Sequence, residues 1–205
     1  MTMDRKEHWE TVYRSKAHDS VSWYESMPRT SLELVGACGL HAAAGIIDVG
    51  AGASALVDGL LERGHSDVSV LDVSAAALEA VKARLGDRAS RVSWIVSDVT
   101  EWEPARSYHL WHDRAVLHFL ATPEDREAYR SVLERSIERG GWVILATFAA
   151  GGPLRCSGLD VIRYSGEDLA GFLGAGFQME RGFTRIHRTP SAADQAFQWG
   201  VFRRV

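Results

Sequence analysis

The chain has 205 residues, which is long enough for one α/β domain with a sizeable core. Apolar residues make up 46% and charged residues 24%, a balance that excludes a disordered or fibrous protein. The net charge of −4 argues against a protein built mainly to bind nucleic acid, which we do not expect as a partner. Cys38 and Cys156 are far apart and have no Cys/His cluster around them, so we expect no disulfide framework and no metal site.

The N-terminal stretch is charged and carries no apolar run, so we expect no signal peptide, no membrane segment and a cytoplasmic location. Asp4 can cap a helix over 6–13. Thr30 and Ser31 can cap a second helix that runs towards Cys38. We therefore expect a mainly helical segment before the regular part of the chain.

From residue 45 onwards, short apolar runs alternate with helical patterns. Five of these runs predict buried strands, at 46–49, 68–71, 92–96, 108–111 and 142–148. Helical spacing of apolar residues predicts four helices between or after them, over 53–63, 74–85, 123–139 and 165–174. Ser74, Thr122 and Ser165 stand at N-cap positions of these helices. The last two apolar runs, 178–187 and 195–204, have no helix between them and predict an antiparallel hairpin.

Five strand–helix units followed by a hairpin predict a three-layer α/β/α sandwich around a seven-stranded, mostly parallel sheet. Right-handed crossovers bring the carboxyl ends of the parallel strands to one edge, where open α/β sheets bind their ligands. The polar and glycine residues predicted at that edge are Asp48, Gly50, Gly52, Asp72, Asp98, His112 and Asp113. We expect a single domain over 1–205, with an N-terminal helical segment over 1–40 and a core over 45–205.

The edge residues favour a nucleoside ligand with positive charge. Gly50 and Gly52 let the backbone turn sharply and approach a ligand closely. Asp72 ends the next strand, where an acid accepts hydrogen bonds from ribose hydroxyls; capping of the following helix is the alternative. NAD would need a third glycine in the turn, and Asp48 and Asp98 would repel its pyrophosphate. S-adenosylmethionine, with its sulfonium and amino groups, fits better.

The segment IIDVGAGAS at 46–54, followed by VLDVS at 70–74 and SDV at 97–99, resembles the motifs of the class I S-adenosylmethionine-dependent methyltransferases. The resemblance extends from about residue 45 to residue 205 and includes the order of the strands and the terminal hairpin. It implies a Rossmann-like fold, S-adenosylmethionine as cofactor and S-adenosylhomocysteine as product. One departure is Ala53, which stands where the family commonly has a third glycine.

The resemblance also implies roles at the methionine end of the cofactor. Gly50 and Gly52 would admit the methionine part, and Asp48 would hold the turn or reach the amino group through water. Asp113, at the end of the fourth strand, would meet the amino group and the methyl acceptor. Tyr13 and Trp23 belong to an aromatic N-terminal segment that looks like the lid of related small methyltransferases; simple docking of that segment onto the sheet is the alternative.

At the adenosine end, the resemblance implies four contacts. Asp72 would bind the ribose hydroxyls and Val73 would pack on the adenine. Asp98 would accept a hydrogen bond from the exocyclic amine of adenine, and the backbone of Val99 would bind the edge of the ring. These assignments follow the match of 70–74 and 97–99 to the family, position by position.

The segment that follows the fourth strand bears on the acceptor. It lacks the acid–Pro–Pro–aromatic motif of members that methylate amides or nucleobases. His112 and His118 are candidate general bases, although either can instead serve packing or backbone hydrogen bonding. A metal site formed by His112, Asp113 and His118 is disfavoured because no further ligand cluster is visible.

Methyl transfer to a small molecule by direct in-line displacement is the function that these observations favour, because the chain is short and shows no added recognition domain. Methylation of a protein lysine is the alternative within the same chemistry. An NAD-dependent oxidoreductase and a non-catalytic protein that binds S-adenosylmethionine are the alternatives from other classes. We expect a monomer or a weak homodimer.

Overall fold

The computed structural model describes residues 4–17 and 19–205. The described helices are α1 (Arg5–Ser15), α2 (Arg29–Ala37), α3 (Leu56–Glu62), α4 (Ala75–Leu85), α5 (Pro123–Ser136) and α6 (Gly166–Leu173). The described strands are β1 (Ile46–Val49), β2 (Val68–Asp72), β3 (Val92–Val96), β4 (Tyr108–Arg114), β5 (Ile137–Phe148), β6 (Arg155–Cys156), β7 (Leu159–Asp160), β8 (Phe177–Arg188) and β9 (Asp194–Arg204). Residues 1–3, part of the stretch in which we expected no signal peptide, lie outside the described residues.

Seven strands form one sheet in the order β3-β2-β1-β4-β5-β9-β8. The first five are parallel, whereas β9 runs antiparallel to both β5 and β8. The predicted sandwich, with a mostly parallel sheet and an antiparallel hairpin, is therefore confirmed. A small separate hairpin of β6 and β7 was not predicted, because each of its strands has only two residues.

Local sequence explains most of the boundaries. Asp4 accepts hydrogen bonds from the first turn of α1, and the Ser74 side chain accepts one from Ala77 N–H at the start of α4. Ser165 and Asp168 form a reciprocal capping box at α6, and Gly174 ends that helix with a φ of 73°. These caps confirm three of the predicted helix starts.

Two local predictions were wrong. Thr30 and Ser31 lie within α2 instead of capping it, because α2 begins after Pro28 and the Ser31 hydroxyl bonds to a histidine of β4. The helix predicted to reach 139 ends at Ser136, since Ile137 is fully buried and pairs with Tyr108 of β4. No helix is described over 97–107, so β3 and β4 are joined by a connection without one.

The sheet is buried on both faces. Apolar residues of α2, α3 and α4 pack on one face, whereas those of α5 and α6 pack on the other. All four residues of β1 and all five of β2 are buried, as expected for central strands of a parallel sheet. The burial of each large aliphatic side chain stabilises the fold by about 1.5–3 kcal/mol. The rigid sheet fixes the edge at which β1, β2, β3 and β4 end.

Candidate active site

The turn after β1 leaves no room for side chains. Gly50 has a φ of 60° and Gly52 a φ of 54°, a left-handed conformation that favours glycine. A Cβ atom at Gly50 would overlap Val116 Cγ2, and one at Gly52 would overlap the hydroxyl of Tyr13. The turn is thus a backbone surface that a ligand can approach closely, with Tyr13 packed directly against it.

Asp72 connects this turn to α4. Its Oδ2 accepts a 2.7 Å hydrogen bond from Gly52 N–H, and its Oδ1 accepts one of 2.8 Å from Ser74 N–H. Burial raises the pKa of Asp72 to about 6, although the two backbone hydrogen bonds lower it in part. Both the predicted capping role and a ribose-binding role are compatible with this geometry, because each oxygen can accept more than one hydrogen bond.

Asp98, the acidic residue after β3, lies under α1. Asp98 Oδ1 accepts hydrogen bonds from the backbone and hydroxyl of Thr100, and its Oδ2 accepts one of 2.8 Å from Arg5 Nε. Arg5 also forms a 3.0 Å ion pair with Asp125 at the start of α5. The side chain assigned to the adenine amine is therefore paired with a guanidinium from the N-terminal helix.

A second bond anchors the same helix to α4. Glu10 Oε2 accepts hydrogen bonds from Ser74 Oγ at 2.7 Å and from Ala76 N–H at 3.2 Å. A carboxylate at this position is favourable because the N-terminus of a helix carries partial positive charge. Together with Arg5, Glu10 fixes α1 across the edge of the sheet.

One cavity of about 810 Å³, counted with its open mouth, runs beneath α1 along this edge. Its lining includes Leu71, Asp72, Val73, Ser97, Asp98 and Val99. Its lining also includes Gly50, Tyr13, Trp23 and further aromatic side chains. The structure thus brings together most of the residues predicted to bind the cofactor.

Asp48 and His112 lie beside this cavity and form a buried array. Asp48 Oδ1 is 2.7 Å from His112 Nδ1, and His112 Nε2 is 2.9 Å from Ser31 Oγ on α2. All three residues line a second, smaller cavity that also reaches Gly50 and Arg114. Both ring nitrogens of His112 are engaged, so a base role would require one of these hydrogen bonds to break.

Asp113 lies on the opposite face of β4 from His112. Its carboxylate accepts hydrogen bonds from Tyr129 Oη at 2.5 Å, Val116 N–H at 2.8 Å and Leu117 N–H at 3.1 Å. It is fully buried, which raises its pKa to about 6, and it does not line the main cavity. The structure therefore separates Asp113 from the cofactor residues with which we grouped it.

His118 lines the main cavity and has no exposed surface. Its Nδ1 accepts a hydrogen bond from Phe148 N–H at 3.2 Å. Burial and the charge of Arg114 lower its pKa to about 3, so the ring is neutral near pH 7. Because Nδ1 is the acceptor, the proton of the neutral ring is on Nε2, which has no partner among the described residues.

The sequence-based predictions missed several residues of the site: Arg5, Glu10, Ser31, Arg114 and Gln195. Arg114 is nearly buried, donates from Nη1 to Trp23 O at 2.8 Å and pairs through Nη2 with Glu25 Oε1 at 3.1 Å. The alternation of side chains along β4 offered one signal, because it places Arg114 on the same face as His112.

Residues 4–17 and 19–205 contain no metal-binding group of three or more His, Cys, Asp or Glu side chains. Within the same ranges no helix is long and apolar enough to cross a membrane.

The fold and the glycine turn define a class I methyltransferase architecture. Residues 46–141 match the family model described as a methyltransferase domain. A solved structure of a SAM-dependent methyltransferase from Anabaena variabilis ATCC 29413 aligns with a TM-score of 0.75 at 16% identity, covering 98% of this chain and 93% of that one. The matched model and the shared fold are consistent with the class I S-adenosylmethionine-dependent methyltransferases.

Two curated relatives differ in what their names say they act on. The eEF1A lysine and N-terminal methyltransferase of Bos taurus is 25% identical over 197 residues, which are 94% of this chain and 26% of the relative. Malonyl-[acyl-carrier protein] O-methyltransferase 1 of Ilyobacter polytropus is 29% identical over 104 residues, which are 50% of this chain and 37% of the relative. The chain therefore spans about a quarter of the first relative and about a third of the second.

Proposed function

We propose that this chain transfers a methyl group from S-adenosylmethionine to a small-molecule acceptor in the cavity beneath α1. The observation that carries the proposal is the hydrogen bond from Gly52 N–H of the glycine turn to Asp72, because Asp72 and Gly50 of the same turn line one cavity. When bound, S-adenosylmethionine supplies an electrophilic methyl group on a positively charged sulfur.

The residues present fit this cofactor. Gly50 and Gly52 provide a surface with no side chains, and Asp72 offers a buried carboxylate to a ribose. Val73 and Val99 supply apolar surface for an adenine beside Asp98. The carboxylate of Asp72 suits a ligand with a positive centre better than a pyrophosphate, whereas Asp98 in the same lining is paired with Arg5. Tyr13 and Trp23 close the cavity and exclude water, which favours an aligned, dehydrated reaction.

His112 and Asp113 have positioning roles in this proposal. His112 holds Asp48 beside the glycine turn, and the bonds of Asp113 to Val116 and Leu117 fix the loop whose Val116 side chain packs against Gly50. In this proposal the two side chains act through the loops that they hold and touch neither cofactor nor acceptor.

A protein acceptor is the second candidate, because the relative that aligns with 94% of this chain is named for lysine and N-terminal methylation. The closure of the cavity by α1 favours the small molecule, since a peptide would have to displace Trp9 and Tyr13 from its wall. We further propose that residues 1–40 act as the lid of a core over 45–205, that the chain is a monomer or a weak homodimer and that it acts in the cytoplasm. The burial of both free cysteines suits a reducing compartment.

Cofactor binding tests the proposal directly. Isothermal titration calorimetry should show binding of S-adenosylhomocysteine, and thermal unfolding should shift upwards with it and not with NAD. Asp72→Ala should weaken the affinity, because the carboxylate meets the ribose. Stabilisation by NAD alone would overturn the proposal in favour of an oxidoreductase. Binding of S-adenosylhomocysteine without methylation of any member of a metabolite and peptide panel would favour a non-catalytic binding protein.

A further inference from the structure

Part of the lining of the main cavity combines aromatic rings with unpartnered polar groups, and we call this part the donor chamber. Its apolar walls are the rings of Trp23, Phe148 and Phe197. Its polar side chains are Arg114, His118 and Gln195, each of which carries a buried polar atom without a partner among the described residues. Unpartnered polar atoms in a protein interior cost about 1–3 kcal/mol each, so three in one compartment point to a ligand that satisfies them.

Two of these atoms are N–H donors. The Nε2–H of His118 is free because Nδ1 accepts from Phe148 N–H, which fixes the tautomer of the neutral ring. The Nε–H of Arg114 is free because the terminal nitrogens are used by Trp23 O and Glu25. The third unpartnered atom is Gln195 Oε1, and rotation of the terminal amide would present the nitrogen as a donor in its place. The chamber is thus built to hold a hydrogen-bond acceptor.

The chamber offers no base. Two candidate proton acceptors near it are already occupied: His118 Nδ1 accepts from Phe148 N–H, and Glu25 binds Arg114 and His187. Burial acts to raise the pKa of Glu25, but the hydrogen bond from His187 and the charge of Arg114 lower it on balance. An acceptor that must first lose a proton, such as an ammonium group, finds nothing here to take that proton.

We propose that the donor chamber binds the methyl acceptor and that this acceptor is a small aromatic oxyanion, a carboxylate or a phenolate. The aromatic walls would contact its ring, and one of its oxygens would accept hydrogen bonds from Arg114 Nε–H and His118 Nε2–H. This assignment rests on the proposed function and specifies its substrate class.

The chemistry of such an acceptor balances without a base. A lone pair of the oxyanion forms the new O–CH₃ bond while the S–CH₃ bond breaks and its electron pair stays on sulfur. The negative charge of the oxygen and the positive charge of the sulfur cancel, so no proton moves. Because charge is lost in the step, a dry aromatic enclosure favours it. The Arg114–Glu25 pair is neutral overall, so the anion of the acceptor is balanced by the sulfonium rather than by the protein.

Direct binding is the test, with benzoate as the probe and benzylamine as its charge-reversed control. Calorimetry is carried out on the whole chain, with and without saturating S-adenosylhomocysteine. Benzoate should bind at least about tenfold more tightly than benzylamine, because two N–H donors face it. Benzylamine binding as tightly as benzoate, or no benzoate binding in either condition, would overturn the proposal.

Two substitutions of His118 separate ligand binding from structure. In His118→Asn the side-chain oxygen can take the place of Nδ1 and accept from Phe148 N–H, but no donor reaches the position of Nε2. In His118→Gln an amide donor reaches that position, but the Phe148 N–H loses its acceptor. Benzoate affinity should fall roughly tenfold in the first variant and be retained within a few-fold in the second. The reverse order would show that His118 acts structurally.

Arg114→Lys provides an independent variant, because it keeps the positive charge beside Glu25 and removes the Nε–H donor. It should also weaken benzoate binding by roughly tenfold, and an unchanged affinity would contradict the assignment. Thermal unfolding of each variant shows whether it is folded. The outcomes for the two proposals are separable: a chain that binds benzoate but not S-adenosylhomocysteine would refute methyl transfer and leave the chamber intact.

Discussion

His112 Nδ1 lies 2.7 Å from Asp48 Oδ1, across the neighbouring strands β4 and β1, and both residues are almost completely buried. The other ring nitrogen is 2.9 Å from Ser31 Oγ, so one imidazole joins the sheet to α2. The ionised form of a buried carboxylate such as Asp48 depends on its hydrogen-bond partner. Removal of that partner leaves a desolvated charge or forces the carboxylate to take up a proton. The array therefore stabilises the strand from which the glycine turn leaves.

Replacement of His112 by Phe should lower the free energy of unfolding by about 2–3 kcal/mol, because Asp48 and Ser31 both lose a buried partner. Chemical denaturation measures the change. His41→Phe is the matched control, because His41 is exposed and its replacement should change the stability by no more than about 0.5 kcal/mol. Equal effects of the two substitutions would show that the array contributes nothing to stability.

Cofactor affinity should depend on pH through Asp72. Burial raises the pKa of this carboxyl from 3.8 to about 6, and the ionised form is the better acceptor for ribose hydroxyls. Affinity for S-adenosylhomocysteine should therefore be constant above pH 7 and fall by up to about tenfold per pH unit below about pH 6. Calorimetry over this range checks it. In Asp72→Asn the profile should be flat, and a wild-type profile that is also flat would refute the ribose contact.

The stability of the ligand-free protein should change in the opposite direction over the same range. A carboxyl whose pKa is raised on folding binds its proton more tightly in the folded state than in the unfolded one. Its contribution is fully present below about pH 4 and is lost as the pH rises through about 6. Asp72 and Asp113 both have this shift. Their joint contribution to the free energy of unfolding should therefore decrease between pH 4 and pH 6. Urea midpoints of Asp72→Asn should show a weaker dependence than those of the wild type.

Substitution at the glycine turn should act through Tyr13. In Gly52→Ala the new Cβ would overlap the tyrosine hydroxyl, and the φ of 54° adds about 1 kcal/mol of backbone strain. We expect weaker binding of S-adenosylhomocysteine and partial recovery in the double variant with Tyr13→Phe, which removes the hydroxyl. A double-mutant cycle in calorimetry measures the coupling. Gly171→Ala in α6 is the control, because a Cβ there meets open space; no coupling between Gly52 and Tyr13 would contradict the contact.

The attachment of α1 should depend on Glu10. Glu10→Ala removes the hydrogen bonds to Ser74 and Ala76, so the amides of α1 should exchange with solvent faster, by a factor corresponding to about 1 kcal/mol. Hydrogen–deuterium exchange measured by mass spectrometry resolves this segment. Glu7→Ala is the control on the same helix, since the Glu7 side chain is exposed. Equal acceleration in the two variants would mean that the bond to α4 does not hold the helix.

Local signals made the core of the fold predictable. The runs at 46–49 and 92–96 coincide with β1 and β3, because a short apolar run bounded by turns has few other ways to bury itself. The position of Asp72 at the edge of the sheet was also predictable, because it directly follows an apolar run and the carboxyl ends of parallel strands meet at one edge. The side chains of a strand alternate between its two faces, which places Asp113 and His112 on opposite faces of β4. We grouped the two residues only because they are adjacent in the sequence.

Long-range contacts were not predictable. Arg5 meets Asp98 across 93 positions, and nothing in the neighbourhood of either residue signals the other. The free Nε2–H of His118 depends on the backbone of Phe148, which is 30 positions away, and so it appears only once the sheet is assembled. The hydrogen bond from Phe148 N–H then determines which nitrogen of His118 carries the proton, a property that residue type alone does not decide.

The attachment of α1 through Arg5 and Glu10 has a consequence for how ligands leave the cavity. Arg5 and Glu10 hold one helix over the adenosine half of the cavity, while Trp9 and Tyr13 of the same helix cover the rest. Under the proposed function, we expect α1 to move away from the cavity once per turnover to release both products, which would make product release rather than methyl transfer the slow step.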